Sequence, residues 1–211
     1  MNASPNARAS SAPLAGGRAG WCLVGGTAAL LVVAIAALVG TAAETTDGLR
    51  AGVRLTARSS LLLFLLAYCA GPLATLWSNR ITSGLRANRR FLGLSFALSH
   101  GLHAALLLAL AQRDPALFWT LTNVGTLLSG GVVYALILLM AATSFPATAA
   151  ALGGRGWGWL HRVGLHAVWI TFLVAFGKRV VLVDVAYALP TALLLLALVL
   201  RVAAARRRGR G

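Results

Sequence analysis

The sequence predicts an all-α membrane protein, a bundle of six transmembrane helices, and three observations support this fold class. Hydrophobic residues make up 59% of the chain and charged residues 11%, whereas soluble proteins carry about 25% charged residues. The apolar residues form continuous runs of about 20 residues, the length that crosses a bilayer core of roughly 30 Å. These runs do not alternate apolar and polar residues as barrel strands do, so we expect helices.

The apolar runs place the predicted spans along the chain. Each run is long, apolar and nearly free of charge, and the six are residues 21–42, 59–77, 91–111, 118–143, 159–177 and 181–200.

The first span ends in small residues, from Val39 to Ala43, that resemble a signal-peptide cleavage site. Its apolar run is longer than the roughly 7 to 15 residues of a signal peptide. We therefore expect a retained helix, with cleavage after residue 43 as the alternative.

The remaining residues divide into terminal segments and connections. Residues 1–18 are rich in Ala, Ser, Asn, Pro and Gly and predict a disordered N-terminal segment. Residues 19–202 form the predicted transmembrane domain, and residues 203–211 form a basic C-terminal tail. The connection 78–90 is polar and predicts a short turn. The glycine-rich connection 145–158 is not expected to be one continuous helix.

The net charge of +15 is divided unequally between the two sides of the predicted bundle. If the N-terminus is inside, the outer segments hold six basic residues and three of the four acids, while the other thirteen basic residues lie inside. The thirteen are Arg8, Arg18, Arg80, Arg86, Arg89, Arg90, Arg155, Arg162, Arg201, Arg206, Arg207, Arg208 and Arg210. The positive-inside rule therefore predicts both termini in the cytoplasm. Because the spans separate these arginines, nucleic acid is not an expected partner.

The four histidines, His100, His103, His161 and His166, all fall in the third and fifth predicted spans. Ionisable side chains are costly inside a bilayer, so they tend to face the bundle interior and to mark a functional site. Spans three and five run in the same direction, and a pair of imidazoles from two helices can hold a haem iron. The histidines are therefore candidate iron ligands.

Helical geometry ranks the candidate pairs. His100 and His103 lie about 60° apart on one helix face, whereas about 140° separates His161 from His166. His100 lies roughly 15 Å from Arg90 and His166 roughly 14 Å from Trp157, so depth favours this pair. Hydrogen bonding across helices is the alternative role for each histidine. A zinc site is less favoured because no Cys or carboxylate completes a tetrahedral set.

Two sequence blocks resemble a known family. Residues 89–94 (Arg-Arg-Phe-Leu-Gly-Leu) and 99–103 (Ser-His-Gly-Leu-His) resemble the third helix of ferric-reductase-like transmembrane domains. Thr143-Ser144, Leu152-Gly153, Trp157 and Leu160-His161-Arg162 resemble the region around the start of helix five in the YedZ-type haem-binding subunit of the methionine sulfoxide reductase system. The resemblance covers about residues 58–179.

This resemblance implies a six-helix protein of the bacterial inner membrane that carries b-type haem between helices three and five and relays electrons across the bilayer. It implies His103 and His161 as iron ligands, with His100 an additional candidate. The family's second helix-five histidine is replaced here by Val174, so His166 is a candidate substitute and the number of haems, one or two, stays open.

The expected partners follow from what the chain lacks. We find no nucleotide-binding glycine fingerprint, so electrons would come from a flavin-bearing or other redox partner protein, or from a quinone. The rival hypothesis is a haem-free membrane scaffold or partner subunit that keeps the fold. A small transporter is a weaker alternative because the two halves show no symmetry.

Overall fold

The structure, a computed structural model, describes residues 17–210, so nearly all of the predicted disordered segment 1–18 lies outside the described residues. The described residues form eight α-helices, one 3-10 helix and no strand. The α-helices are α1 (Arg18–Thr41), α2 (Thr45–Leu76), α3 (Arg80–Ala87), α4 (Arg89–Arg113), α5 (Pro115–Leu121), α6 (Val124–Ala142), α7 (Pro146–Leu182) and α8 (Ala188–Arg208), with the 3-10 helix at Val185–Tyr187.

Six of these helices are long and apolar enough to cross a membrane. They are α1, α2, α4, α6, α7 and α8, and their most apolar windows have mean hydropathies between 1.6 and 2.6. The described residues thus confirm two parts of the predicted fold class: they form an all-α structure, and six of its helices can cross a membrane.

The second span begins earlier than predicted, at Thr45 instead of residue 59. The first turns of this helix contain Asp47, Arg50 and Arg54. These charged residues interrupt the apolar run, so hydropathy alone does not detect the first turns. The inward positions Gly48, Gly52, Thr56 and Ser60 are nevertheless small, buried and four residues apart. Small residues at this spacing let membrane helices approach closely, so the helix forms here through packing against its neighbours.

The predicted fourth span, residues 118–143, is wrong as a single helix. The chain forms α5 and α6 there, and Asn123 separates them. The Asn123 side chain accepts a hydrogen bond from the Thr126 backbone N–H at 2.9 Å, so it caps the start of α6. Asp114 caps α5 in the same way through the Leu117 N–H.

The connection predicted to be partly non-helical, residues 145–158, is helical on both sides of one break. Gly153 has φ 71° and ψ 159°, a conformation that only glycine adopts without strain, and the helix of α7 resumes after it. The predicted turn at 78–90 contains the short helix α3, whose N-terminus is closed by reciprocal hydrogen bonds between Asn79 and Thr82.

The predicted sixth span is shifted toward the C-terminus, because α8 begins at Ala188 and continues to Arg208. The helix therefore includes most of the predicted basic tail, residues 203–208. There the Arg207 guanidinium donates a hydrogen bond to the Leu76 carbonyl at 2.7 Å, at the end of α2. A cation at a helix C-terminus satisfies a free carbonyl and interacts favourably with the helix dipole.

Helix α2 lies at the centre of the bundle, between α1, α4 and α8. The main core surrounds Phe64 and Tyr68 of α2, and it includes Phe96 of α4 and Phe172 of α7. Gly48 of α2 brings that helix against the backbone of α1 near Val39. A second, smaller apolar cluster of Leu49, Leu106 and Leu110 lies nearer the N-terminus of α2.

The alternating helices create two faces that differ in their acids, although both carry basic residues. All four acids lie on one face, which we call the acidic face; they are Glu44, Asp47, Asp114 and Asp184. The opposite face, the arginine face, carries both ends of the described chain and no acid among the described residues. Its arginines are Arg18, Arg80, Arg86, Arg89, Arg90, Arg155, Arg162, Arg201, Arg206, Arg207, Arg208 and Arg210.

Candidate functional site

A layer of hydrogen-bonded polar side chains lies inside the bundle between α2 and α4. Ser99 Oγ is 2.9 Å from the hydroxyls of both Ser59 and Ser60. One turn away, Thr56 Oγ1 is 3.0 Å from His103 Nδ1. Thr56, Ser60 and Ser99 are fully buried. We call these five residues the polar layer.

The hydrogen bonds of the polar layer assign the His103 tautomer. Thr56 has one hydroxyl hydrogen, and it points to the backbone carbonyl of Gly52 at 2.8 Å. The oxygen of Thr56 therefore accepts from the His103 ring, which places the proton on Nδ1. The lone pair of His103 is then on Nε2, the arrangement in which a second hydrogen bond orients an imidazole toward a metal.

His100 lies next to the polar layer among aromatic rings. Its ring stacks on Tyr134 at 4.7 Å and on His103 at 5.4 Å, and it meets Phe172 of α7 edge-on at 5.8 Å. His100 Nδ1 and the Tyr134 hydroxyl are buried without a hydrogen-bond partner. A buried polar atom without a partner costs about 1–3 kcal/mol, so a ligand that bonded either atom would be stabilised here, beside the polar layer.

A cleft opens near the arginine face between α2, α4, α6 and α7, with a cavity volume of about 300 Å³. Its walls are mainly apolar and include Phe64, Phe96, Ile137, Met140 and Leu165. Polar groups lie along one part of its lining: Arg89, Arg90, Trp157 and His161. We call this cavity the arginine-face cleft.

His161 is held in the wall of the arginine-face cleft by two neighbours. Its Nε2 lies 3.3 Å from Thr143 Oγ1, and its ring packs on Trp157 at 4.3 Å. Thr143 donates its own hydroxyl hydrogen to the Leu139 carbonyl at 2.7 Å, so His161 donates through Nε2 and keeps its lone pair on Nδ1. The Trp157 indole N–H is fixed in turn by the Thr143 carbonyl at 2.9 Å.

His166 lies apart from the other three histidines. Its Nδ1 is 2.7 Å from the Arg162 carbonyl of the same helix, and a carbonyl can only accept, so Nδ1 carries the proton. The ring meets Tyr68 of α2 edge-on at 6.2 Å. Over the same Tyr68 ring lies the Arg201 guanidinium of α8, at 4.5 Å.

The structure brings His100 and His103 together but does not join them to a histidine of α7. Among the described residues, ring contacts link neither the depth-favoured pair His100 and His166 nor the family pair His103 and His161. Aromatic rings fill the space between the helices: Phe172 contacts Phe64 at 5.5 Å and Phe96 at 6.2 Å.

The histidines contact residues that the predicted site did not include: Thr56, Thr143, Tyr68 and Tyr134. One sequence signal could have revealed Thr56 as the partner of His103. It is the four-residue spacing of Gly48, Gly52, Thr56 and Ser60. It marks the close-packing face of α2, on which a hydroxyl must find a partner across the helix interface.

The residues of the arginine-face cleft fit a haem in their chemistry. Haem needs an apolar cavity, an axial ligand for iron and cations for its propionates. The cleft supplies apolar walls, the His161 imidazole and the guanidinium groups of Arg89 and Arg90. A conventional zinc site does not fit, because no three His, Cys, Asp or Glu side chains of the described residues are grouped to hold an ion.

Comparison of the chain with protein-family models, curated proteins and solved structures finds no match. The resemblance to ferric-reductase-like transmembrane domains therefore stays a prediction from the residues that carry it.

Proposed function

We propose that the protein is a haem b-binding membrane subunit that relays single electrons across the bilayer. The observation that supports this function most directly is the arginine-face cleft, in which an imidazole, apolar walls and two guanidinium groups converge. A bound haem would supply one-electron iron chemistry there. The described residues form only the helical bundle, with no flavin or nicotinamide domain among them, and we expect the electrons to come from a partner protein or a quinone.

His161 is the proposed ligand on α7, and its neighbours position it. Thr143 and Trp157 fix the plane of the imidazole, and Nδ1 carries the lone pair in this arrangement. Binding through Nε2 would require His161 to release Thr143. Arg89 and Arg90 line the cleft and would neutralise propionate carboxylates, and Phe96 and Met140 would keep water from its inner part.

Two histidines of α4 are candidates for the opposite ligand. His100 is seven residues after Gly93 and four after Phe96, both of which line the cleft, so it lies on the same helix face one turn further in. His103 has the better-defined tautomer because Thr56 fixes its Nδ1–H. Position thus favours His100, whereas the family resemblance favours His103.

Absorbance spectroscopy tests the proposal on protein purified in mild detergent after haem supplementation of the culture. We expect a Soret band and a pyridine haemochrome, both lost in His161→Ala and retained in His166→Ala, because His166 does not line the cleft. Wild-type protein without either signal would exclude the function.

The same spectra separate the two α4 candidates. If His100 is the opposite ligand, His100→Ala changes the Soret maximum and the haem spin state while His103→Ala leaves them intact. The reverse result assigns His103. If neither variant alters the spectrum, α4 contributes no ligand and His161 alone binds the iron.

A haem-free scaffold or partner subunit is the second candidate function. Two observations favour it: Val174 stands where the family has its second helix-five histidine, and the contacts of Phe64, Phe96 and Phe172 fill the space between α4 and α7. Under this hypothesis the purified protein is colourless even with excess haem, and its histidines serve only to hydrogen-bond.

A further inference from the structure

The hairpin of α7 and α8 is shorter than its neighbours at the acidic face. Phe64 of α2 contacts Phe172 of α7, and from this contact both helices can be followed toward the acidic face. In that direction α2 extends about 19 residues to its start at Thr45, or about 29 Å. Helix α7 extends only about 10 residues to its end at Leu182, or about 15 Å. From the contact of Tyr68 with Arg201, α2 continues for about 35 Å, whereas α8 continues for about 20 Å to Ala188. Both estimates place the hairpin end about 15 Å short of the α2 terminus.

A groove lies just below this hairpin end, between α2, α7 and α8. Its cavity volume is about 330 Å³, and we call it the hairpin groove. Its apolar lining includes Leu61, Leu62, Leu65, Phe176, Leu189 and Leu193. Leu62 and Leu189 are 60% and 68% exposed, so the groove opens sideways toward the lipid.

One cation lines the hairpin groove, and two more lie at its level. Arg58 is exposed in the groove wall, about 9 Å along α2 from Phe64. Lys178 and Arg179 are exposed about 9–10 Å along α7 from Phe172, which contacts Phe64. Among the described residues the one ion pair joins Arg50 to Asp47, so none of the three cations has a carboxylate partner.

The short hairpin changes what surrounds these cations. Between Arg162 and Lys178, α7 has about 15 residues, all apolar or small except His166, a length of about 22 Å against a bilayer core of roughly 30 Å. A bilayer thins beside a short hydrophobic segment, which brings lipid headgroups down to the level of the hairpin end. Arg58 then meets a headgroup instead of the costly hydrocarbon core.

We propose that the hairpin groove binds an anionic phospholipid from the leaflet at the acidic face. One acyl chain lies along the leucines of α2 and α8, and the phosphate accepts hydrogen bonds from the Arg58 guanidinium, with Lys178 and Arg179 at the same level. An anionic lipid is favoured over a quinone because a neutral head would leave Arg58 in the groove wall without a counter-charge. A second copy of this chain is disfavoured because it would present the same cations.

Native mass spectrometry of the full-length protein in detergent tests this site. The probes are phosphatidylglycerol and phosphatidylcholine with identical acyl chains. We expect preferential retention of phosphatidylglycerol, weakened about fivefold by Arg58→Gln, the effect of one basic residue near an anionic surface. Arg54→Gln is the matched control, because Arg54 is exposed one turn along α2 and does not line the groove.

Filling the groove gives a second, charge-neutral test. Leu193→Trp should reduce retention of phosphatidylglycerol, whereas Leu196→Trp, an exposed α8 position outside the groove, should not. Equal retention of both lipids, or equal behaviour of the two arginine variants, overturns the proposal. Displacement of phosphatidylglycerol by the neutral probe decylubiquinone would also overturn it. The same holds if the protein is a dimer and Leu193→Trp dissociates that dimer.

Discussion

At the scale of single residues, the hydroxyl of Thr56 has two functions in the polar layer. It donates to the Gly52 carbonyl of its own helix and accepts from His103 of α4. The second bond crosses between helices, so it joins α2 to α4 as well as assigning the His103 tautomer.

Thr56→Val should destabilise the fold by about 1 kcal/mol, in the upper part of the range measured for hydrogen bonds between membrane helices. Valine has the same shape but leaves the His103 Nδ1–H buried without an acceptor. Reversible unfolding in mixed micelles measures the loss. Thr75→Val is the matched control, because Thr75 bonds only the Gly71 carbonyl of its own helix; a loss of the same size there would contradict the assigned role.

The sequence identified the histidines but not the residues they contact. Ionisable groups in apolar runs are visible without a structure, and helical angles place His100 and His103 on one face. Which neighbour each ring meets depends on the rotation and depth of separate helices, which no local pattern encodes. The contact of Phe172 with His100, where an α7 histidine was expected, is such a case.

At the scale of helices, the apolar runs predicted the number of spans better than their ends. Hydropathy detects the part of a helix in contact with lipid, whereas α2 and α8 continue beyond it with arginines on their surfaces. The break before α6 depends on the short side chain of Asn123, which competes for backbone N–H groups that a longer helix would use. Such capping is decided by one residue within an otherwise apolar run.

The close approach of α1 and α2 depends on Gly48. A Cβ there would lie 2.7 Å from the Val39 Cα and 2.9 Å from the Leu38 carbonyl oxygen, both backbone atoms that cannot rotate away. Gly48→Ala should therefore separate the helices and cost about 1–3 kcal/mol of stability in the same unfolding assay.

Gly40→Ala in α1 is the control, because nothing lies within 4 Å of its added Cβ. It should leave stability unchanged or raise it, since alanine favours a helix by about 1 kcal/mol over glycine. If Gly48→Ala behaves in the same way, the two helices are not in tight contact.

At the scale of the whole molecule, charge is the feature that separates the two faces. Every acid lies on the acidic face, and the arginine face has none among the described residues. The arginine face also holds 12 of the 18 described basic residues, and this excess is the basis for expecting that face, and with it both termini, in the cytoplasm.

Cysteine labelling of intact cells tests that orientation. In a background with Cys22 and Cys69 replaced by alanine, Glu44→Cys should react with a membrane-impermeant maleimide from outside. Ser83→Cys, in the connection at the arginine face, should react only after permeabilisation. Both residues are exposed, so accessibility is matched and the reverse pattern would invert the predicted topology.

The hydrogen bond from Arg207 to Leu76 also has a consequence for biogenesis. Of the described helices α8 leaves the ribosome last, yet it supplies the guanidinium that caps the C-terminus of α2. During translation the Leu76 carbonyl therefore has no guanidinium partner until four more membrane segments have passed the translocon. A chain that stalls before α8 would lack this contact, and water would then have to satisfy the Leu76 carbonyl.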